Sequence, residues 1–239
     1  MTAPALPTLA ALADLHGSDK GFSVLNAHGY TRVYESLLRG VREQPLRLLE
    51  IGLLHPVLHA AARAEGGAFS KAPSLQMWAD YLPHAKIFGL DIEDFSGFAH
   101  PRVQILRADQ GDRASLQQAA VAAGGAFDLI IDDGSHASHH QQITLGALLP
   151  YLNAGGVYVV EDLHYQPAAL EWPGLTKTRA LLQVLQQRRE LSGIPSALLG
   201  PELQLLEQQV ANVVFFDSLD RDRANAFDTR DALAVLKKR

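Results

Sequence analysis

The stretch FDLIIDDGSHASHHQQITLGALLPYLNAGGVYVVEDL, residues 127–163, holds a complete structural unit. FDLIIDD (127–133) is a short apolar run that stops at two adjacent carboxylates. Short apolar runs bounded by turn residues read as buried strands. SHHQQITLGALLPYL (138–152) carries a helical pattern, with Ser138 as its expected N-cap, and stops before Asn153 and Gly155-Gly156. GVYVVED (156–162) is a second strand, again closed by acids. Strand, helix, strand is the crossover unit of a parallel sheet.

The same alternation extends in both directions. Further strands are expected at LRLLEIG (46–52), KIFGLDI (86–92), RVQILRAD (102–109) and NVVFFDS (212–218). The tail DALAVLKK (231–238) suits a seventh strand or a helix equally. Helices are expected over 31–41, 74–82, 114–123 and 176–191, with Gly124-Gly125 able to close the third in a left-handed cap. The fold class is therefore α/β, with a mostly parallel sheet.

Acids recur where these strands end: Asp91, Asp109, Asp132-Asp133, Glu161-Asp162 and Asp217, with Glu50 just inside the end of the first. Parallel strands are buried on both faces and cannot hold charge cheaply in their interiors. The acids therefore line one edge, the carboxyl edge where open α/β sheets bind ligands.

Composition narrows the function classes. The chain has 239 residues, 47% of them hydrophobic, and a net charge of −5. That balance argues against a nucleic-acid-binding face. Without cysteine there are no disulfides, thiolate metal sites or Cys nucleophile. The N-terminus has no basic region before its apolar stretch, so no signal peptide is expected. No run approaches the ~18 apolar residues of a membrane span. A cytoplasmic protein without membrane or nucleic-acid partners is expected.

Glu50-Ile51-Gly52 and Gly89-Leu90-Asp91 end the first two strands. An acid in the second position accepts hydrogen bonds from a ribose diol. The glycine fingerprint of dinucleotide binding is missing, because LLHPVLH follows Gly52. A nucleoside ligand without phosphates, such as S-adenosylmethionine, remains. Asp133 and Glu161-Asp162 stand at the ends of neighbouring strands, about 5 Å apart. Such acids repel unless they are protonated, well solvated or bound to a cation. Carboxylates without thiolates suit a hard divalent cation.

The blocks GSDKG (17–21), HGYTRVYE (28–35), LLEIG (48–52), PSLQMWADYLPHAKIFGLDI (73–92), RADQGD (107–112), the run 127–163 and VVFFDSL (213–219) carry a resemblance. The chain resembles the class I S-adenosylmethionine-dependent methyltransferases. Within them it resembles the metal-dependent sugar O-methyltransferases of natural-product biosynthesis, of the mycinamicin and rhamnosyl-tetracenomycin type. The resemblance implies a Rossmann-like seven-strand methyltransferase sheet, helices on both faces and a short N-terminal helical arm. It implies one methyltransferase domain over 1–239, with 1–45 as the arm and 46–239 as the core. The extra N-terminal domain of longer members is not expected.

The resemblance also assigns roles. S-adenosyl-L-methionine would lie against Tyr30, Glu50, Gly52, Ser74, Asp91, Asp109, Gln110 and Asp132. Mg²⁺ or another divalent cation would be held by Asp133, Glu161 and Asp162, and His136 would be the general base. Chelating a sugar diol lowers the cost of forming an alkoxide, and a nearby imidazole takes the proton. His164, Tyr165 and Trp172 are expected to face a small-molecule glycoside acceptor. His139 and His140 are read as substrate-facing or surface groups. Segment 55–73 departs from the family, with LLHP and KAP where glycines are usual, and is expected to be a reshaped lid. Homo-oligomers are expected from the family. Two other readings stay open: a phenolic or catechol acceptor, and a non-catalytic binding module on the same fold.

Overall fold

The computed structural model describes residues 6–24, 27–53, 68–217 and 232–239. Seven strands form one sheet: β1 (Arg47–Ile51), β2 (Lys86–Asp91), β3 (Val103–Arg107), β4 (Phe127–Asp132), β5 (Leu152–Val160), β6 (Val210–Asp217) and β7 (Ala232–Lys238). Their order is β3-β2-β1-β4-β5-β7-β6. The β1–β2, β2–β3, β1–β4 and β4–β5 pairs are parallel, and β7 runs antiparallel to both β5 and β6. The tail is thus a strand. Between β5 and β6 its main chain closes the sheet on both sides, which a helix there could not do.

The helices among the described residues are α1 (Leu9–His16), α2 (Thr31–Leu38), α3 (Pro73–Tyr81), α4 (Arg113–Ala122), α5 (Ser138–Leu148), α6 (Thr178–Arg188) and α7 (Gly200–Gln209). Alternate residues of one strand feed opposite cores, as the two-residue period requires. Leu49, Ile51 and Ile130 pack with α4, α5, α6 and α7. Leu48, Leu129 and Ile131 pack with α1, α2 and α3, around Trp78, Tyr34 and Tyr81. The sheet is therefore covered on both faces, and the arm helices belong to one of the two layers.

Two helices were not anticipated from the pattern. α1 carries readable caps nonetheless: Thr8 accepts from the Ala11 N–H at 3.2 Å, and Gly17 takes φ +75°. In α7 the Glu202 carboxylate accepts the Leu199 N–H at 2.8 Å and pairs with Arg113 at 2.8 Å. One expected cap is different. Ala137 precedes α5, Ser138 is its first residue, and the Ser138 hydroxyl has no hydrogen-bond partner. The Ser138 N–H donates instead to Glu171 at 2.6 Å, so a distant carboxylate does the capping. The expectation of a lid at 55–73 falls largely outside the described residues.

Main-chain bonds continue one residue past the strands. Gly52 donates to the Leu90 carbonyl, Asp133 to Ile51 and Glu161 to Asp132, each at 2.9 Å. The acids just beyond β4 and β5 are thereby held in register with the sheet.

Candidate active site

The turn after β1 crosses directly over the turn after β4. Gly52 has φ +84°, and a Cβ there would lie 2.0 Å from the Asp133 carbonyl oxygen. Only glycine meets both demands. This close approach ties the end of β1 to Asp133, and the β4–β5 pairing sets the acids after β5 beside it.

At the centre of the cluster is Lys20, from the loop between α1 and α2. Its side chain is 1% exposed. Its ammonium pairs with Glu50 at 3.2 Å, with Glu161 at 2.9 Å and with Asp133 in a short contact. Burial works against the charged lysine, yet the carboxylates of Asp133, Glu161 and Glu50 outweigh it and hold the ammonium well above its usual pKa. Burial pushes Glu50, Asp133 and Glu161 upward as well, and Lys20 opposes that shift in each. Glu161 has its second oxygen on the Tyr34 hydroxyl, and Glu50 accepts from the Trp78 indole at 3.1 Å. Three strand ends and two arm elements are joined through these few atoms.

Asp162 faces the other way. Tyr30 donates to its Oδ1 at 2.6 Å, His136 Nε2 is 3.6 Å from its Oδ2, and His28 Nδ1 is 3.8 Å from Oδ1. Burial raises the Asp162 carboxyl, but His28, His136, the Tyr30 hydroxyl and His164 together bring it below the ordinary range. Asp133, His136 and Asp162 each offer a ligand atom, all within 4.8 Å of one another. His136 and Asp162 both have positive φ, 61° and 54°. Non-glycine residues in that region cost about 1–3 kcal/mol and concentrate at functional sites. Both residues project side chains from sharp turns at the carboxyl edge.

The remaining expected cofactor residues lie along the same edge. Ser74, at the start of α3, hydrogen-bonds Glu50. Asp91 accepts from the Leu53 and Glu93 N–H groups, both at 2.9 Å, so it anchors the loops after β1 and β2. Asp109 is exposed and accepts from the Gly111 N–H at 2.8 Å. Gln110 bridges Asp132 at 2.6 Å and the Ser135 N–H at 3.0 Å. Asp132 is buried, and burial pushes its carboxyl up to about 7 despite bonds from Gly134 and Gln110. Tyr30 points at Asp162 and stacks on His28, with ring centroids 5.1 Å apart.

The expected acceptor residues rim this edge. Tyr165 and Trp172 are 55% and 51% exposed. Tyr165 stands edge-on to His136 at 6.2 Å, and His164 lies 6.2 Å from His28. Trp172 stacks on His139 at 4.3 Å, so His139 supports the rim. His140 turns to Ser135 Oγ at 2.6 Å, which braces the turn that carries His136. Burial lowers the pKa of both His139 and His140.

Lys20, Tyr34 and Trp78 were not singled out from the sequence. All three sit inside the blocks of resemblance, but a lone lysine in a loop reads as a solvated group. Only the fold shows that three strand ends converge on it.

No family model matches the chain. Over 165 residues it is 42% identical to the 8-demethyl-8-alpha-L-rhamnosyl tetracenomycin-C 2'-O-methyltransferase of Streptomyces olivaceus, covering 68% of this chain and 40% of that protein. Over 171 residues it is 36% identical to the mycinamicin VI 2''-O-methyltransferase of Micromonospora griseorubida, covering 70% and 38%. The chain thus spans about 40% of the length of these relatives. Among solved structures it superimposes on the MycE methyltransferase of the mycinamycin pathway with Mg and SAH at a TM-score of 0.70 and 25% identity, over 98% of this chain and 54% of that one. A second MycE structure, holding Mg, SAH and mycinamycin VI, gives a TM-score of 0.65. In sequence and in fold the chain resembles the class I S-adenosylmethionine-dependent methyltransferases, and among them the sugar O-methyltransferases of antibiotic biosynthesis.

Proposed function

We propose that this protein transfers the methyl group of S-adenosylmethionine to a sugar hydroxyl of a glycosylated small molecule, with the help of a divalent cation. The observation that carries the reading is the convergence of Asp133, His136 and Asp162 at the ends of neighbouring strands, on two turns with positive φ.

The donor set fits a hard cation. Asp133 and Asp162 offer carboxylate oxygens within 4.8 Å of each other, close to the span of about 4.2 Å that two ligands at about 2.1 Å from one Mg²⁺ can reach. The charge also fits. Glu50, Asp133 and Glu161 face one ammonium and Asp162 stands beside His136, four carboxylates against one lysine, so three formal negative charges remain near the edge. A divalent cation and a sulfonium together match them. Asp133 and Asp162 would hold the cation, with Glu161 as the third acid of the set. Glu50, Gly52, Ser74, Asp91, Asp109, Gln110 and Asp132 line the stretch of edge available to the cofactor, and Tyr30 fixes Asp162. A bound divalent cation supplies charge stabilisation to a developing alkoxide.

The chain's own residues do the rest. His136 takes the hydroxyl proton at Nε2, and the Asp162 carboxylate beside it stabilises the imidazolium. The left-handed turn and the Ser135–His140 bond keep that imidazole aimed at the edge. Tyr165 and Trp172 offer flat apolar faces on which a sugar or ring can rest. The methyl carbon leaves sulfur and bonds the acceptor oxygen, giving S-adenosylhomocysteine, an ether and one proton. Positioning is the main contribution asked of the protein.

A screen of acceptors tests the reading. Release of S-adenosylhomocysteine with glycosides that carry neighbouring free hydroxyls, and not with catechols, is expected. Turnover of catechols alone would replace the sugar with a phenolic acceptor. Calorimetry with no heat for either S-adenosylmethionine or S-adenosylhomocysteine would leave only a binding module.

A further inference from the structure

Lys20 has a property that its surroundings make unusual. A lysine ammonium has three N–H donors, and here three carboxylates surround it, from Glu50, Asp133 and Glu161. The side chain is 1% exposed, so water does not reach it. Its loop is fixed as well. The Lys20 carbonyl accepts from Thr31 at 3.0 Å, the Asp19 carbonyl from His28 at 2.7 Å and the Gly21 carbonyl from Gly29 at 2.9 Å. A Cβ on Gly21 would lie 2.6 Å from Asp14 Oδ1, so that turn is also tightly packed. The ammonium is therefore fixed from both ends, with hydrogen bonds to Asp133 and Glu161 and an ion pair to Glu50.

Two of its three partners, Asp133 and Glu161, are acids in the carboxylate set of the divalent centre. One oxygen of each is engaged by Lys20, and the other Glu161 oxygen by Tyr34. Like charges at such range repel strongly when water is excluded. We propose that Lys20 is a built-in monocation that competes with the divalent ion for Asp133 and Glu161, and so keeps that ion weakly held and exchangeable. Lys20 is a positioning residue in this account, because it acts through the two carboxylates. The inference rests on the reading of the edge as a divalent-cation centre.

The direction of the effect separates this role from a merely structural one. Loss of packing would loosen cation binding; loss of a competing charge tightens it. Mn²⁺ is the probe, titrated into the whole protein and followed by electron paramagnetic resonance. Lys20→Met is expected to bind Mn²⁺ at least tenfold more tightly than the parent. The absence of any other cysteine permits a second comparison. In a Lys20→Cys protein the single thiol is capped in denaturant, either with 2-bromoethylamine, which restores an ammonium, or with iodoacetamide, which leaves a neutral amide, and then refolded. The charged cap is expected to return Mn²⁺ affinity to within threefold of the parent, and the neutral cap to bind more tightly.

Equal or weaker binding by the neutral forms overturns the proposal, as does equal binding by the two caps. If neither neutral form folds, Lys20 is a folding residue and the proposal falls. A parent protein that binds no Mn²⁺ removes the divalent centre itself, which is a failure of the proposed function and not of Lys20 alone.

Discussion

His136 sits where backbone strain and chemistry meet. Its φ of 61° is one that asparagine tolerates better than most residues. His136→Asn therefore removes the proposed base while sparing the turn. Its kcat is expected to fall by about 10²–10⁴-fold, while calorimetry gives an unchanged affinity for S-adenosylhomocysteine. A rate within a factor of a few of the parent would remove His136 from the chemistry. Gly52 is the complementary case, a residue with no chemistry and a strict steric demand. Gly52→Ala is expected to destabilise the fold by about 2–4 kcal/mol, because it adds both a left-handed strain and a clash with main chain. Urea unfolding reads this directly, and a loss below about 0.5 kcal/mol would mean that the two turns separate easily. The cluster of acids was legible because charge at strand ends has few structural uses, whereas the role of His136 came only with the resemblance. Lys20 and Tyr34 were not legible, because nothing local distinguishes a lysine that meets three distant carboxylates from one in solvent.

Elements follow the same division. The strands were readable because parallel strands buried on both faces give short, dense apolar runs such as LRLLEI and FDLIID. β5 starts four residues before the expected 156, because Leu152 pairs with Phe127 and a register irregularity follows. β7 could not be told from a helix, since ALAVL has no period that separates the two; its partners on either side decide it. α6 and β6 are joined by a two-pronged pair, with Arg179 nitrogens 2.7 and 2.9 Å from the Asp217 oxygens. Hydrogen bonds from Arg179 hold the Asp217 carboxyl below its usual pKa. A depressed carboxylate stabilises the fold above its unfolded pKa, near 3.9, and this contribution is lost as pH falls through the folded pKa. Asp217 is half exposed, so the pair contributes only about 0.2–1 kcal/mol. Asp217→Asn is expected to lower the urea midpoint at pH 7, by a margin that shrinks as pH falls to 3. A difference that persists undiminished at pH 3 would assign the effect to packing.

At the scale of the whole molecule, the sheet order sets what the carboxyl edge can do. β1, β4 and β5 are consecutive neighbours, so Glu50, Asp133 and Glu161-Asp162 arrive side by side. The arm helices then deliver Lys20, Tyr30 and Tyr34 onto those acids from one layer. On the opposite layer, α5 carries His139 and His140 behind the turn of His136. Among the described residues, no helix is long and apolar enough to cross a membrane. The proposed function requires a divalent cation beside the cofactor. The most direct test is methyl transfer to an accepted glycoside, read as release of S-adenosylhomocysteine with Mg²⁺, in excess EDTA, and after Mg²⁺ is added back. Turnover that stops in EDTA and returns with Mg²⁺ is the predicted result; full turnover in excess EDTA would contradict it.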